Sequence, residues 1–225
     1  MVNTSNMIQG PEAGELETPP REPMDAYRLE SVVRELGRGT GANVGFFLSE
    51  HSNIRRLLSL IDAELSRAAR QQTPDYPLVL SAIHYLTRFI DNFHHAREDG
   101  AVELAALRVP RLAAVADAVA DQHESVLFTG GALWGLLDRA FADQPVLRSQ
   151  VVDAGRAYSQ LLRQHLDYEE EFLFPELAEV LTPDDWATID ANFGLISDPL
   201  FGPVVGERYR QLRARLQGSV PPSSR

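Results

Sequence analysis

Apolar residues return at helical spacing through most of this chain, and polar turns separate the stretches. From about Asn43 to Arg70 they fall at Val44, Phe47, Leu48, Ile54, Leu57, Leu58, Ile61 and Leu65, the stripe of an amphipathic helix. Asn43 is placed to cap it, and Thr73-Pro74-Asp75 ends it. A second stripe runs from about Pro77 to Leu107 through Ile83, Leu86, Ile90, Ala101 and Leu104. Beyond Pro110 a third carries Leu112, Val115, Val119, Val126, Leu133, Trp134 and Leu137, with Gly130 and Gly131 allowing close helix approach or a bend. After Asp143-Gln144-Pro145 a fourth passes through Val151, Ala154, Tyr158, Leu161, Leu162 and Phe172, and Pro175 is expected to kink or end it. Strand alternation is absent. The pattern predicts an all-α fold, an antiparallel up-down four-helix bundle over 43–181.

Shorter elements flank this bundle. Leu29, Val32, Val33 and Leu36 predict a helix over 25–36, within a helix-and-linker region at 24–42. Thr182-Pro183-Asp184-Asp185 opens a further helix that Gly194 closes, and Val204 to Leu216 is amphipathic, giving a C-terminal helical extension over 182–218. Residues 1–23, rich in Pro and Glu and poor in apolar clusters, and residues 219–225 are expected to be disordered tails.

Six residues break the stripes in a way that carries chemistry. His51, His94, His123 and His165 each occupy a place where the helical period asks for an apolar side chain, and Glu98 and Glu169 follow two of them at i+4. Buried unpaired imidazoles and carboxylates are costly, so a set pointing inward needs a shared partner, and a metal pair is the economical one. Height along the bundle agrees. His51 lies 23 residues before the turn near residue 74, and His94 to Glu98 lie 20 to 24 after it; the turns near 110 and 144 bring His123, His165 and Glu169 to about the same level. The neighbouring His95 falls on a mostly polar side and is expected to face outward. His84 lies about 15 Å below His94 at 1.5 Å per residue and is too far to join. Glu170 competes with Glu169, and Trp134 and Trp186 read as packing residues.

Composition narrows the chemistry. Cysteine and lysine are both absent, which removes thiol nucleophiles, Cys-ligated zinc, iron–sulfur clusters, Schiff bases and the P-loop lysine. A net charge of −11 disfavours nucleic acid. The lack of an apolar run long enough for a bilayer or of a signal peptide leads us to expect a cytoplasmic protein with no membrane partner. Imidazole and carboxylate without thiolate suit iron, manganese or zinc, and six donors with two carboxylates exceed one tetrahedral site and favour two ions.

With Ser49-Glu50-His51, the segment Phe93 to Asp99, Gln122-His123-Glu124 and the segment His165 to Pro175, the chain resembles the hemerythrin-like HHE cation-binding domain family over about 43–190. The resemblance implies a four-helix bundle holding two iron ions with an oxo or hydroxo bridge, His51, His94, His123 and His165 as nitrogen ligands, and Glu98 and Glu169 as bridging carboxylates. Oxygen-binding hemerythrins carry a second histidine four residues after the first on the third helix, where this chain has Leu127. Two imidazoles per ion would leave both ions able to meet a substrate. We expect binding or reduction of dioxygen, peroxide or nitric oxide at this centre, with a protein redox partner as one candidate electron source; a sensor, carrier or iron donor without turnover is the alternative. Catalytic residues are unassigned, with Tyr158 and Glu124 as candidate proton sources.

Overall fold

The computed structural model describes residues 41–142, 144–193 and 197–218. The helix expected over 25–36, both tails and the Gly194 cap lie outside the described residues. Helix α1 is Gly41–Ala69, so Asn43 lies within the helix instead of capping it. Helix α2 (Tyr76–Tyr85) begins with Asp75 accepting the Leu78 amide and Pro77 in the first turn; it runs through a π-helical stretch, Leu86–His94, straight into α3 (His95–Arg108). Helix α4 is Ala113–Phe141. Helix α5 (Arg148–Tyr168) passes through a second π-helical stretch, Glu169–Leu173, into α6 (Phe174–Val180). Helix α7 (Pro183–Phe193) starts with a reciprocal cap in which the Thr182 amide donates to Asp185 and the Asp185 amide donates to the Thr182 hydroxyl. Helix α8 (Arg210–Leu216) follows a short 3₁₀ turn. The described residues contain no strand.

Contact pairs fix the topology. Along α1 and α5, His51 meets Glu170, Arg55 meets Asp167, Asp62 meets Arg163 and Leu65 meets Gly155, so the two helices run antiparallel. The same reversal relates α1 to α2 and α3 (Glu50 to His94, Glu64 to Asp75), α2 and α3 to α4 (Thr87 to Gly130, Asp99 to His123), and α4 to α5 (Gln122 to His165, Gly130 to Tyr158). Four rods therefore close an up-down ring. Gly130 permits the approach expected of it: an added Cβ would sit 2.9 Å from Thr87 Cγ2 and 3.0 Å from Tyr158 Cε2. Gly131 has open space around it.

Two expectations about α5 need correction. Pro175 does not end the rod, because the π-helical stretch before it re-routes the bonding. The Phe174 amide bonds to the Glu169 carbonyl five residues back, and Pro175 enters as a first-turn residue of α6, where a missing N–H costs nothing. Phe172, expected in the core, lies within that stretch and is 41% exposed.

Apolar burial occurs in two clusters. One gathers Ile54, Leu58, Ile61, Leu86, Ile90, Val126, Leu133, Tyr158 and Leu162, together with Leu200, Tyr209 and Leu212 from the C-terminal segment. The other gathers Val44, Phe47, Ala101, Val119, Phe174, Leu177, Trp186 and Ile189. On each rod the two clusters occupy opposite ends, and the buried His and Glu residues lie near where they meet.

Candidate metal centre

Between the apolar clusters, His51, His94, Glu98, His123, His165 and Glu169 are all buried. Their inner atoms converge. His51 Nε2 lies 3.3 Å from Glu169 Oε2 and 3.6 Å from Glu98 Oε1. His94 Nε2 lies 3.4 Å from Glu98, and His165 Nε2 lies 3.1 Å from Glu169. His123 Nε2 reaches both carboxylates, at 3.3 Å for Glu169 and 3.8 Å for Glu98. All six residues singled out by periodicity therefore share one layer.

A seventh joins them. His95, expected to face outward, is 3% exposed and stacks on His123 with ring centroids 4.1 Å apart. The expectation assumed 3.6 residues per turn, which the π-helical stretch Leu86–His94 does not keep. The His95 amide bonds to the Ile90 carbonyl, five residues back, and the wider turn turns His94 and His95 both inward. Donor atoms then form two groups, each within 4.8 Å: His51, His94, Glu98 and Glu169, and His95, Glu98, His123 and His165. Glu98 belongs to both.

Outer nitrogens are held in a ring that reading by periodicity missed. Glu50 on α1 accepts from His94 Nδ1 at 2.7 Å, and Asp99 on α3 accepts from His123 Nδ1 at 2.8 Å. Gln122 on α4 accepts from His165 Nδ1 at 3.2 Å, and Glu170 after α5 accepts from His51 Nδ1 at 2.9 Å. Each acceptor stands beside a donor residue of its own helix and supports the histidine of the next. An ionised carboxylate only accepts, so Nδ1 of His51, His94 and His123 carries a proton in these bonds, and the Nε2 atoms of the four histidines point inward. Glu170 thus belongs outside the inner layer, where Arg55 also pairs with it. The sequence signal was present in Glu50-His51, Glu98-Asp99, Gln122-His123 and Glu169-Glu170, four polar neighbours of four buried donors.

Charge in the layer alternates. Burial works against a protonated His51, yet Glu169, Glu170 and Glu98 hold it well above the ordinary imidazole value. Burial is likewise outweighed at His123, which Asp99 and Glu169 raise to about 10. His165 is lowered to about 4, mainly by burial, with His123, His51 and His94 adding to it against Glu169. Burial and the Glu169 charge push Glu98 up, whereas at Glu169 the surrounding histidines overcome burial and push it down.

The donor set fits metal ions on an observation independent of these shifts. His51 Nε2, His94 Nε2, His95 Nε2, His165 Nε2, both Glu98 oxygens and Glu169 Oε2 are buried with no hydrogen-bond partner. Buried polar atoms are nearly always satisfied, and seven orphans on residues gathered in one layer are what a cation pair would bind.

Of the remaining candidates, His84 lies outside the layer, its Nδ1 2.8 Å from the Tyr209 hydroxyl and its ring against Trp134. Trp186 is buried against Phe47. Glu124 is exposed. The Tyr158 hydroxyl is buried without a partner, and burial raises its pKa well above the ordinary value.

The model of the hemerythrin HHE cation-binding domain matches residues 43–177. No curated protein and no solved structure matches this chain.

Proposed function

Because the chain belongs to the hemerythrin HHE cation-binding domain family, we propose that it is a non-haem di-iron protein that binds or reduces a small oxidant, dioxygen, peroxide or nitric oxide, between its two apolar clusters. The observation that carries this reading is the set of buried inner atoms of histidine and glutamate, orphaned and gathered into two groups that share Glu98. His51 and His94 would hold one ion and His123 and His165 the other, with Glu98 and Glu169 between them. When bound, two irons supply electrons and Lewis acidity for capture or reduction of the oxidant.

The chain's own residues contribute orientation and exclusion. The outer ring fixes each imidazole with Nε2 inward, so that the donor geometry is set before any ion arrives. Phe47 and Phe174, both fully buried, flank the His51 side with ring centroids 5.6 Å from His94 and 5.0 Å from His51, respectively, and keep water from that face. A reading without turnover, as sensor, carrier or iron donor, draws on a different observation: of the two candidate proton sources, Glu124 is exposed and the Tyr158 hydroxyl touches no polar partner among the described residues. In the catalytic reading a protein reductant supplies the electrons.

One experiment separates these. Purified protein loaded anaerobically with Fe(II) is analysed for metal content and optical spectrum, then mixed with peroxide or nitric oxide. Two irons per chain with near-ultraviolet charge-transfer bands and consumption of the oxidant, lost in Glu98→Ala, support the enzyme. Tight ligand binding without consumption selects the carrier or sensor, and stoichiometric zinc without colour refutes redox function altogether.

A further inference from the structure

Resting on the two-ion reading, we infer that His95 supplies a third imidazole to the His123–His165 side of the centre, delivered from the second rod by the π-helical stretch in place of the histidine that α4 lacks at Leu127. In a regular helix neighbouring side chains point about 100° apart, so only one of two consecutive histidines faces a core. Here two rows are buried side by side: Leu86, Ile90 and His94, and Thr87, Asp91 and His95, with the Asp91 side chain only 7% exposed. The extra residue of the wider turn makes room for both.

The two nitrogens of His95 differ in their surroundings. Nδ1 lies 3.4 Å from Asp91 Oδ1, one turn earlier on the same rod. Nε2 is buried with no hydrogen-bond partner, and a ring nitrogen of His95 gathers with donor atoms of Glu98, His123 and His165. A histidine kept for packing would be expected to satisfy its buried nitrogen; this one leaves it unpaired beside the layer. Glu98 stands at i+4 from His94 and i+3 from His95, the two spacings that place side chains on a common face, so one carboxylate serves both histidines.

On α4, by contrast, Leu127 is 53% exposed one turn beyond His123, and that helix offers a single donor. The count of imidazoles becomes two on the His51–His94 side and three on the His123–His165 side. The ions are then unequal, and the one with fewer imidazoles has coordination capacity left for a small molecule. This replaces the expectation that both ions meet substrate alike.

The test compares full-length wild type with His95→Gln, each titrated anaerobically with Fe(II), desalted and analysed for iron, with ⁵⁷Fe Mössbauer spectra of the loaded forms. Wild type is expected to hold two irons with two distinct quadrupole doublets. His95→Gln is expected to keep one iron and to bind the second at least about tenfold more weakly. Two irons in His95→Gln with unchanged affinity and spectrum overturn the role of His95 and leave the two-ion reading standing; a wild type that holds no pair of metals overturns both. Should His95→Gln not fold, Co(II)-loaded wild type decides. Five hyperfine-shifted exchangeable imidazole N–H resonances support five ligating histidines, and four overturn the proposal.

Discussion

Asp91 is held in the fold at an energetic cost, and that cost is measurable. Its carboxylate is buried, neither oxygen has a hydrogen-bond partner, and burial raises its pKa from 3.8 to about 6, with His123, His94 and Arg88 opposing the rise. A folded value above the unfolded one means that the fold prefers the protonated form. The associated stability is complete below about pH 3.8 and is lost as pH rises through about 6. A shift of roughly two units corresponds to about 3 kcal/mol at pH 8 and to about half of that at pH 5. Asp91→Asn removes the charge while keeping the shape. Urea denaturation of the chelator-treated protein at pH 5, 6.5 and 8 should therefore find the variant more stable at pH 8, with the gap narrowing as pH falls and the m-value unchanged. A gap that stays constant with pH, or a variant less stable than wild type at pH 8, would refute the claim that burial of this charge destabilises the metal-free fold.

Further expectations concern the ring, the metal and the packing. Glu170→Gln leaves every inner donor in place but weakens the hold on His51 Nδ1, now at 2.9 Å; metal affinity should fall by about 10- to 100-fold in a competitive chelator titration, and unchanged affinity would remove the ring from the account. Metal loading must displace the protons that the carboxylates hold on His51 and His123, so calorimetry in two buffers of different ionisation enthalpy should detect proton release near pH 7 and an affinity that rises with pH. Chelation should lower Tm, by roughly 10 °C if the free metal had been about 1,000-fold above Kd. Gly130→Ala places a Cβ 2.9 Å from Thr87 and 3.0 Å from Tyr158, which should cost about 1–3 kcal/mol in chemical denaturation, whereas Gly131→Ala meets nothing and should be neutral or slightly stabilising.

The bundle and the layer of six buried histidines and glutamates were legible because they obey one rule. His51, His94, His123 and His165 stand on apolar stripes, and Glu98 and Glu169 follow at i+4, so a fixed period of 3.6 finds them. What escaped lies where that period fails. His95 and Phe172 exchanged their expected environments, one moving inward and the other outward, because each sits at or in a π-helical stretch that propensity and periodicity do not announce. A clue to the first was chemical: two consecutive histidines with one glutamate in reach of both is wasteful unless both face it. Pro175 does not end its rod for a related reason, since a residue that cannot donate is tolerated once the preceding turn no longer asks for the ordinary bond.

The outer ring escaped for a different reason. Glu50, Asp99, Gln122 and Glu170 look like solvent-side residues when each helix is considered alone, and their partners lie on the next helix around the bundle. Such a circuit cannot be drawn from one rod, although every member adjoins a donor in sequence. It also couples the four rods. Moving α1 displaces both its own His51 and the support of His94, and the same holds at each step until Glu170 returns to His51. One support in the circuit is an amide, Gln122, whereas the other three are carboxylates, and a neutral acceptor polarises its imidazole less than a charged one. Gln122→Glu should therefore strengthen the donor character of His165 and lower the reduction potential of the iron-loaded centre, and an unchanged or raised potential in a spectroelectrochemical titration would refute that dependence.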